Sequence, residues 1–223
     1  MTARTAEEEI RELARDLAPV RPIPRLRSAL AAAVVLGLVA LAAQWLLGGP
    51  GLRAGGVGTW LTLPYLATFA GLALVALGAI GAALAGAVPG REVSSRLGTR
   101  VAAFGLVLAV AGGLWGIAHG DAPAAGEDLG ACLSCIGRAF TLGAAPMLLA
   151  CAFIVYAAVR RPGLGTALAI AGGVALGAAS VHATCPSDSP LHWILAHTLA
   201  PVAAVIVLTA PLAALLARWT RRG

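Results

Sequence analysis

Long stretches free of Asp, Glu, Lys and Arg alternate along this chain with short segments that gather the charges. Six such runs stand out: Ala29 to Leu47, Pro64 to Val88, Val101 to Ala118, Phe140 to Val159, Leu164 to Ala183 and Trp193 to Ala217. An α-helix crosses the hydrocarbon of a bilayer with about 20 apolar residues, because it must satisfy every backbone polar group internally. The pattern therefore predicts an all-α, polytopic membrane protein, a bundle of six transmembrane helices. Residues 1–27 form a tail, 28–217 the membrane domain and 218–223 a short C-terminal tail. A secretory signal peptide fits the first run poorly. Glu7, Glu8, Glu9, Glu12 and Asp16 precede it, and it is longer than a usual signal core, so it is expected to be a retained span.

Composition supports this reading. Hydrophobic residues make up 59% of the 223, charged residues 12%, and mean hydropathy is +0.87; a soluble domain carries about twice that charged fraction. The net charge of +6 does not point to nucleic acid. All 16 basic residues are arginine and sit at the ends of apolar runs, not interleaved with aromatic and polar groups. Their distribution sets an orientation. With the N-terminus inside, Arg4, Arg11, Arg15, Arg21, Arg25, Arg27, Arg91, Arg96, Arg100, Arg160, Arg161, Arg218, Arg221 and Arg222 are cytoplasmic, and only Arg53 and Arg138 lie outside. A multi-pass protein of the bacterial inner membrane with both termini in the cytoplasm is expected. Small residues four apart, Gly112 with Gly116 and Gly173 with Gly177, suit close helix packing. Pro146, Pro201 and Pro211 are expected to kink the fourth and sixth spans.

In the N-terminal tail, Thr5 followed by Glu8 makes a capping-box start, and Ile10, Leu13, Ala14 and Leu17 share one helical face. Pro19, Pro22 and Pro24 end that helix. So short a helix is marginal alone, and its stripe wants a partner. The bilayer surface or the protein's own loops is one choice, a groove on a cytoplasmic protein the other.

The most informative chemistry lies on the opposite side. His119, Asp121, Glu127 and Asp128 precede Cys132-Leu-Ser-Cys135, and the fifth run ends in His182-Ala-Thr-Cys185-Pro186-Ser-Asp188-Ser-Pro190, followed by His192 and His197. Thiolates and imidazoles in this arrangement can gather zinc, cadmium or copper, at least transiently. Cys135, Cys185, His182 and His192 are the candidate ligands. Two of the thiols can instead form a disulfide, since the periplasm is oxidising, and Cys132, Cys135 and Cys185 make an odd set that leaves one thiol over. Cys151, in mid-span, reads as inert packing. No cofactor is demanded. The chain has no phosphate-binding Gly loop, no H-E-x-x-H, no G-x-S-x-G and no intramembrane carboxylate pair, so no enzyme is expected.

Several segments resemble one family. They are Asp16-Leu-Ala-Pro19-Val20-Arg21, Ala87-Val88-Pro89-Gly90-Arg91, the cysteine at the start of the fourth span, and His182-x-x-Cys185-Pro186-x-Asp188-Ser189-Pro190. Together they are similar to the NrsF-type six-span membrane anti-sigma factors, and a light-responsive carotenoid regulator of myxobacteria shares the layout. The resemblance implies a protein that holds an extracytoplasmic-function sigma factor at the membrane, releases it under metal, oxidative or singlet-oxygen stress, and touches no nucleic acid itself. It implies a sensing pair made of Cys185 and one of Cys132 or Cys135, with Cys135 preferred. Sigma contacts are expected from Ile10, Leu13 and Leu17 and from the loops around Arg91 and Arg96. A membrane metal-handling or transport protein using the same Cys/His cluster is the competing expectation. Oligomeric state is left open by the sequence.

Overall fold

The computed structural model describes residues 7, 8, 10, 25–48, 57–119, 129–157 and 162–220. In chain order the helices are α1 (Leu26–Gly48), a single turn α2 (Val57–Trp60), α3 (Leu63–Gly86), α4 (Glu92–His119), α5 (Leu129–Tyr156) and α6 (Pro162–Thr184). The last helical rod joins α7 (Pro190–His192), a π-helical segment (Trp193–Leu199) and α8 (Ala200–Thr220). Six of these rods are long and apolar enough to cross a membrane: α1, α3, α4, α5, α6 and the α7–π–α8 rod, called here the first to sixth spans. No strand occurs among the described residues. Large apolar side chains such as Val35, Leu38, Phe104, Val107, Leu148 and Ile206 face outward, as a lipid solvent requires.

The fifth span is the hub, packed on the second, fourth and sixth and also on the first. Alanine and glycine let the rods approach backbone to backbone. A Cβ at Gly78 would lie 2.7 Å from Gly98 O, and one at Gly105 would lie 2.6 Å from Gly71 O, locking the second and third spans together. A Cβ at Gly177 would run into the Ala139 carbonyl, and one at Gly143 into that of Gly173, which does the same for the fourth and fifth. The first span is held more loosely. Ala29 and Ala33 join a buried cluster with Ile80, Leu84, Phe153 and Ile154, and Gln44 Nε2 donates to Thr184 Oγ1 over 3.2 Å near its other end. Between these two attachments an apolar crevice opens among the first, second and fifth spans, lined by Val34, Gly37, Leu41, Phe69, Leu77 and Leu176.

Several rods run past the apolar stretches that betray them in sequence. The third span starts at Glu92, so Arg96 and Arg100 ride on helix and not in a loop. Glu92 suits the positive end of the helix dipole, and Ser95 Oγ donates to Ala82 O over 3.0 Å, pinning these turns to the second span. The preceding turn needs Gly90, whose φ of +79° lies in the left-handed region. The fourth span likewise starts at Leu129, which puts Cys132 and Cys135 on helix. Of the expected prolines, Pro146 and Pro211 lie inside uninterrupted α-helix, whereas Pro201 lies two residues past the end of the π-helical segment. Proline has no N–H for the carbonyl four residues back and its ring crowds that turn, and a widened turn relieves both.

The rods have unlike ends. Among the described residues, Arg25, Arg27, Arg91, Arg96, Arg100 and Arg218 gather at one end, where the first, third and fifth spans begin. The other end carries Arg138 together with Cys132, Cys135, Cys185 and His192.

Candidate functional site

Three spans build a buried thiol–imidazole cluster at the cysteine end. On the fourth span, Cys132 and Cys135 are three residues apart and share the inward face, while Leu133 between them points out. The fifth span delivers Cys185 on its last turn, where its N–H reaches Val181 O over 2.6 Å. Pro186 cannot continue that ladder, and the chain leaves the helix. The connector is short and cross-tied. Ser189 Oγ accepts the His192 N–H at 3.4 Å, and Trp193 Nε1 donates to Ser187 O over 2.9 Å. The Cys-Pro-x-Asp-Ser-Pro stretch thus folds as a clasp that seats the start of the sixth span beside Cys185.

The π-helical segment then decides which histidines converge. In an α-helix, residues five apart point about 140° away from each other. A turn closed by i→i+5 bonding brings them to one side. His192 and His197 accordingly have ring centroids 5.2 Å apart, and Thr198 Oγ1 bonds five residues back to Trp193 O over 3.4 Å.

All four cysteines are thiols. Cys135 Sγ lies 3.6 Å from Cys185 Sγ, and Cys185 Sγ lies 3.5 Å from His192 Nε2. The other ring nitrogen of His192 is 3.3 Å from Cys132 Sγ, so one imidazole bridges two thiols. His197 Nδ1 meets His182 Nδ1 at 3.0 Å, which requires one to donate and the other to accept. The donor atoms of Cys135, Cys185, His192 and His197 all lie within 4.8 Å of one another, a grouping that can hold a metal ion. Burial is nearly complete: Cys185 is 3% exposed, Cys135 8%, His192 1% and His197 0%.

The cluster differs from the expected ligand set by one exchange. His197 stands where His182 was expected, and His182 stands behind it, stacked on Tyr65 with centroids 4.5 Å apart and edge-on to Trp193. Cys132 is beside the four-residue group, not in it. His119 stays apart, stacked on Trp115. Cys151 packs with Ala150, Phe153 and Ile154 near the arginine end.

The model of a known family, NrsF, negative regulator of sigma F, matches residues 13–219. The chain belongs to the NrsF family. No curated protein and no solved structure matches it. Membership makes the chain a negative regulator of a sigma factor, with a sigma factor as its implied partner, and its six apolar helices make it a membrane protein.

The arginine end carries the remaining residues singled out in the sequence. Arg91, in the turn after the second span, and Arg96, on the third, are both exposed there. Ile10 is helical and 64% exposed, while Leu13, Ala14 and Leu17, the other residues of the expected stripe, lie outside the described residues.

Proposed function

We propose that this chain is an anti-sigma factor that holds an extracytoplasmic-function sigma factor against the cytoplasmic face of the bacterial inner membrane. It releases that factor when a soft metal or an oxidant alters Cys135 and Cys185 on the other face. One observation carries the reading: the buried thiol pair and the exposed arginines occupy opposite ends of one helical bundle. The arginine bias favours the end with Arg91, Arg96 and Arg218 as the cytoplasmic one. There the tail stripe of Ile10, Leu13 and Leu17 supplies an apolar grip, and Arg91 and Arg96 supply charge for an acidic partner surface.

The thiol cluster ties the fourth, fifth and sixth spans together, so a change in its bonding shifts all three. A peroxide would take two electrons from the pair and become two waters. Disulfide formation would then draw sulfurs now 3.6 Å apart to about 2.05 Å. The route inward runs through the hub. Thr184, next to Cys185, accepts the hydrogen bond from Gln44 of the first span, and the first span leads directly into the tail. A bias of a few kcal/mol between two arrangements suffices to change how much sigma factor is held.

Metal flux finds less support. Outside the cluster and His182 behind it, the buried Thr68, Ser180, Thr184 and Thr198 spend their hydroxyls on backbone carbonyls. A permeation path would leave ionisable groups along the bundle.

The tail assignment has a direct test. Deleting residues 1–18 while keeping all six spans should raise a sigma-dependent reporter several-fold without stress, with membrane levels of the protein unchanged. The sigma factor should also cease to co-purify with membranes. Normal repression by the truncated protein would rule out the tail as the grip.

A further inference from the structure

We infer that Cys135, Cys185, His192 and His197 form a preorganised tetrahedral site for one divalent, soft or borderline metal ion of the zinc and cadmium class. The inference names the ligand of the sensing site proposed above and rests on that reading for its consequence, but not for its measurement.

The distances fit coordination. Zinc–sulfur bonds of about 2.3 Å and zinc–nitrogen bonds of about 2.05 Å, set tetrahedrally, give edges of about 3.8 Å between sulfurs and about 3.6 Å between sulfur and nitrogen. The protein holds Cys135 and Cys185 sulfurs 3.6 Å apart, and Cys185 sulfur 3.5 Å from His192 Nε2. These two edges match those of a coordinated tetrahedron, and the remaining donor atoms lie within 4.8 Å, a small closure from it.

Charge selects the ion. Binding M²⁺ would expel one proton from each thiol, leaving two thiolates, two neutral imidazoles and a metal of charge +2, which sum to zero. A neutral centre tolerates a site whose four residues are each less than a tenth exposed. A monovalent ion would leave a buried net charge, and magnesium or calcium would lack the oxygen ligands they prefer.

The surroundings are those of a metal centre as well. A ligating histidine generally gives its second nitrogen to a neighbour that fixes ring and tautomer. His192 has Cys132 sulfur 3.3 Å from Nδ1, and His197 has His182 3.0 Å from its own Nδ1. Cys132 and His182 are therefore positioning residues, holding the ligands without touching the ion. The metal would join the fourth span, the end of the fifth and the start of the sixth, so its arrival is a mechanical event in the part of the bundle that leads to the tail.

The test uses the full chain, reduced and purified in detergent, titrated with Zn²⁺ and with Co²⁺ as a spectroscopic stand-in. The expected result is one metal per chain, two protons released per metal, and the visible absorption of tetrahedral cobalt with a sulfur-to-cobalt charge-transfer band. C135S should roughly halve that band, and H197N should lower affinity at least tenfold. C132S should keep the one-to-one stoichiometry and both sulfur ligands while weakening affinity by about 10- to 100-fold. Should H197N not fold, the halved band in C135S decides the sulfur ligands, and H182N, with full stoichiometry retained, decides that His182 is not one of the four. Octahedral cobalt, no stoichiometric binding, or a C135S band of full intensity would overturn the site. Absence of binding with stress responses still dependent on Cys185 would overturn the metal site alone. Stoichiometric binding with cysteine variants that respond normally would overturn the sensing reading alone.

Discussion

Replacing Cys185 with serine should leave a sigma-dependent reporter as silent under metal or oxidant stress as it is without stress. Cys185 lies beside both Cys135 and His192. Serine keeps the shape but offers a hard, un-ionised oxygen, which binds soft metals poorly and forms no disulfide. The fold should tolerate the change, because His192 Nε2 stands within reach of a hydroxyl at this position, and a hydrogen-bonded hydroxyl avoids the roughly 1–3 kcal/mol of an unpaired buried one. Cys135→Ser should behave alike. Cys151→Ser serves as the control, since that residue packs among Ala150, Phe153 and Ile154, far along the rod from the cluster. The measurement is the induction ratio at matched membrane levels. A Cys185→Ser protein that is induced like the parent would remove the pair from sensing.

Gly177→Ala should be the most damaging single methyl in the bundle. Its Cβ would run into the carbonyl of Ala139 and lie 2.9 Å from Gly143 N, and both are backbone atoms with no rotamer to turn away. The fourth and fifth spans would have to part, at a cost of about 3 kcal/mol or more, the upper end of overpacking penalties. The spans that would separate are the ones carrying Cys135 and Cys185, so loss of repression is expected alongside loss of folded protein. Gly81→Ala provides the contrast. Nothing lies within 4 Å of a Cβ there, and alanine improves helix propensity by about 0.5–1 kcal/mol. Thermal unfolding in detergent should separate the two variants clearly. Equal stability would mean that the fourth and fifth spans do not approach at this glycine.

The six spans were legible because lipid imposes so simple a demand: a run of apolar residues long enough to cross. Their ends were less so. Arg96, Arg100 and Arg138 mark where the hydrocarbon-like sequence stops, but a helix keeps its hydrogen bonds in water and runs on, as it does from Glu92 and from Leu129. The nearness of Cys135 and Cys185 was not written in their spacing, since 50 residues separate them; it was implied by family resemblance and depends on how the fourth and fifth spans pack. His197 is not legible as a member of the cluster because α-helical periodicity sets it on a different face from His192. Pro201 was the available signal, for its missing N–H is the one that His197 O would accept in a regular helix.

Thiols this enclosed also discriminate by size. With Cys185 3% exposed and Cys135 8%, a bare ion or a peroxide needs only a brief gap between side chains, whereas a bulky charged maleimide must wait for a local opening whose free energy sets its rate. Slow labelling of the native cysteines would therefore report enclosure and say nothing of sidedness. Reporter thiols for membrane topology belong at the rod ends, at Leu129, 71% exposed on the first turn of the fourth span, and at Val93, 81% exposed two residues from Arg91. Impermeant reagents added to intact spheroplasts should tag Leu129→Cys and spare Val93→Cys.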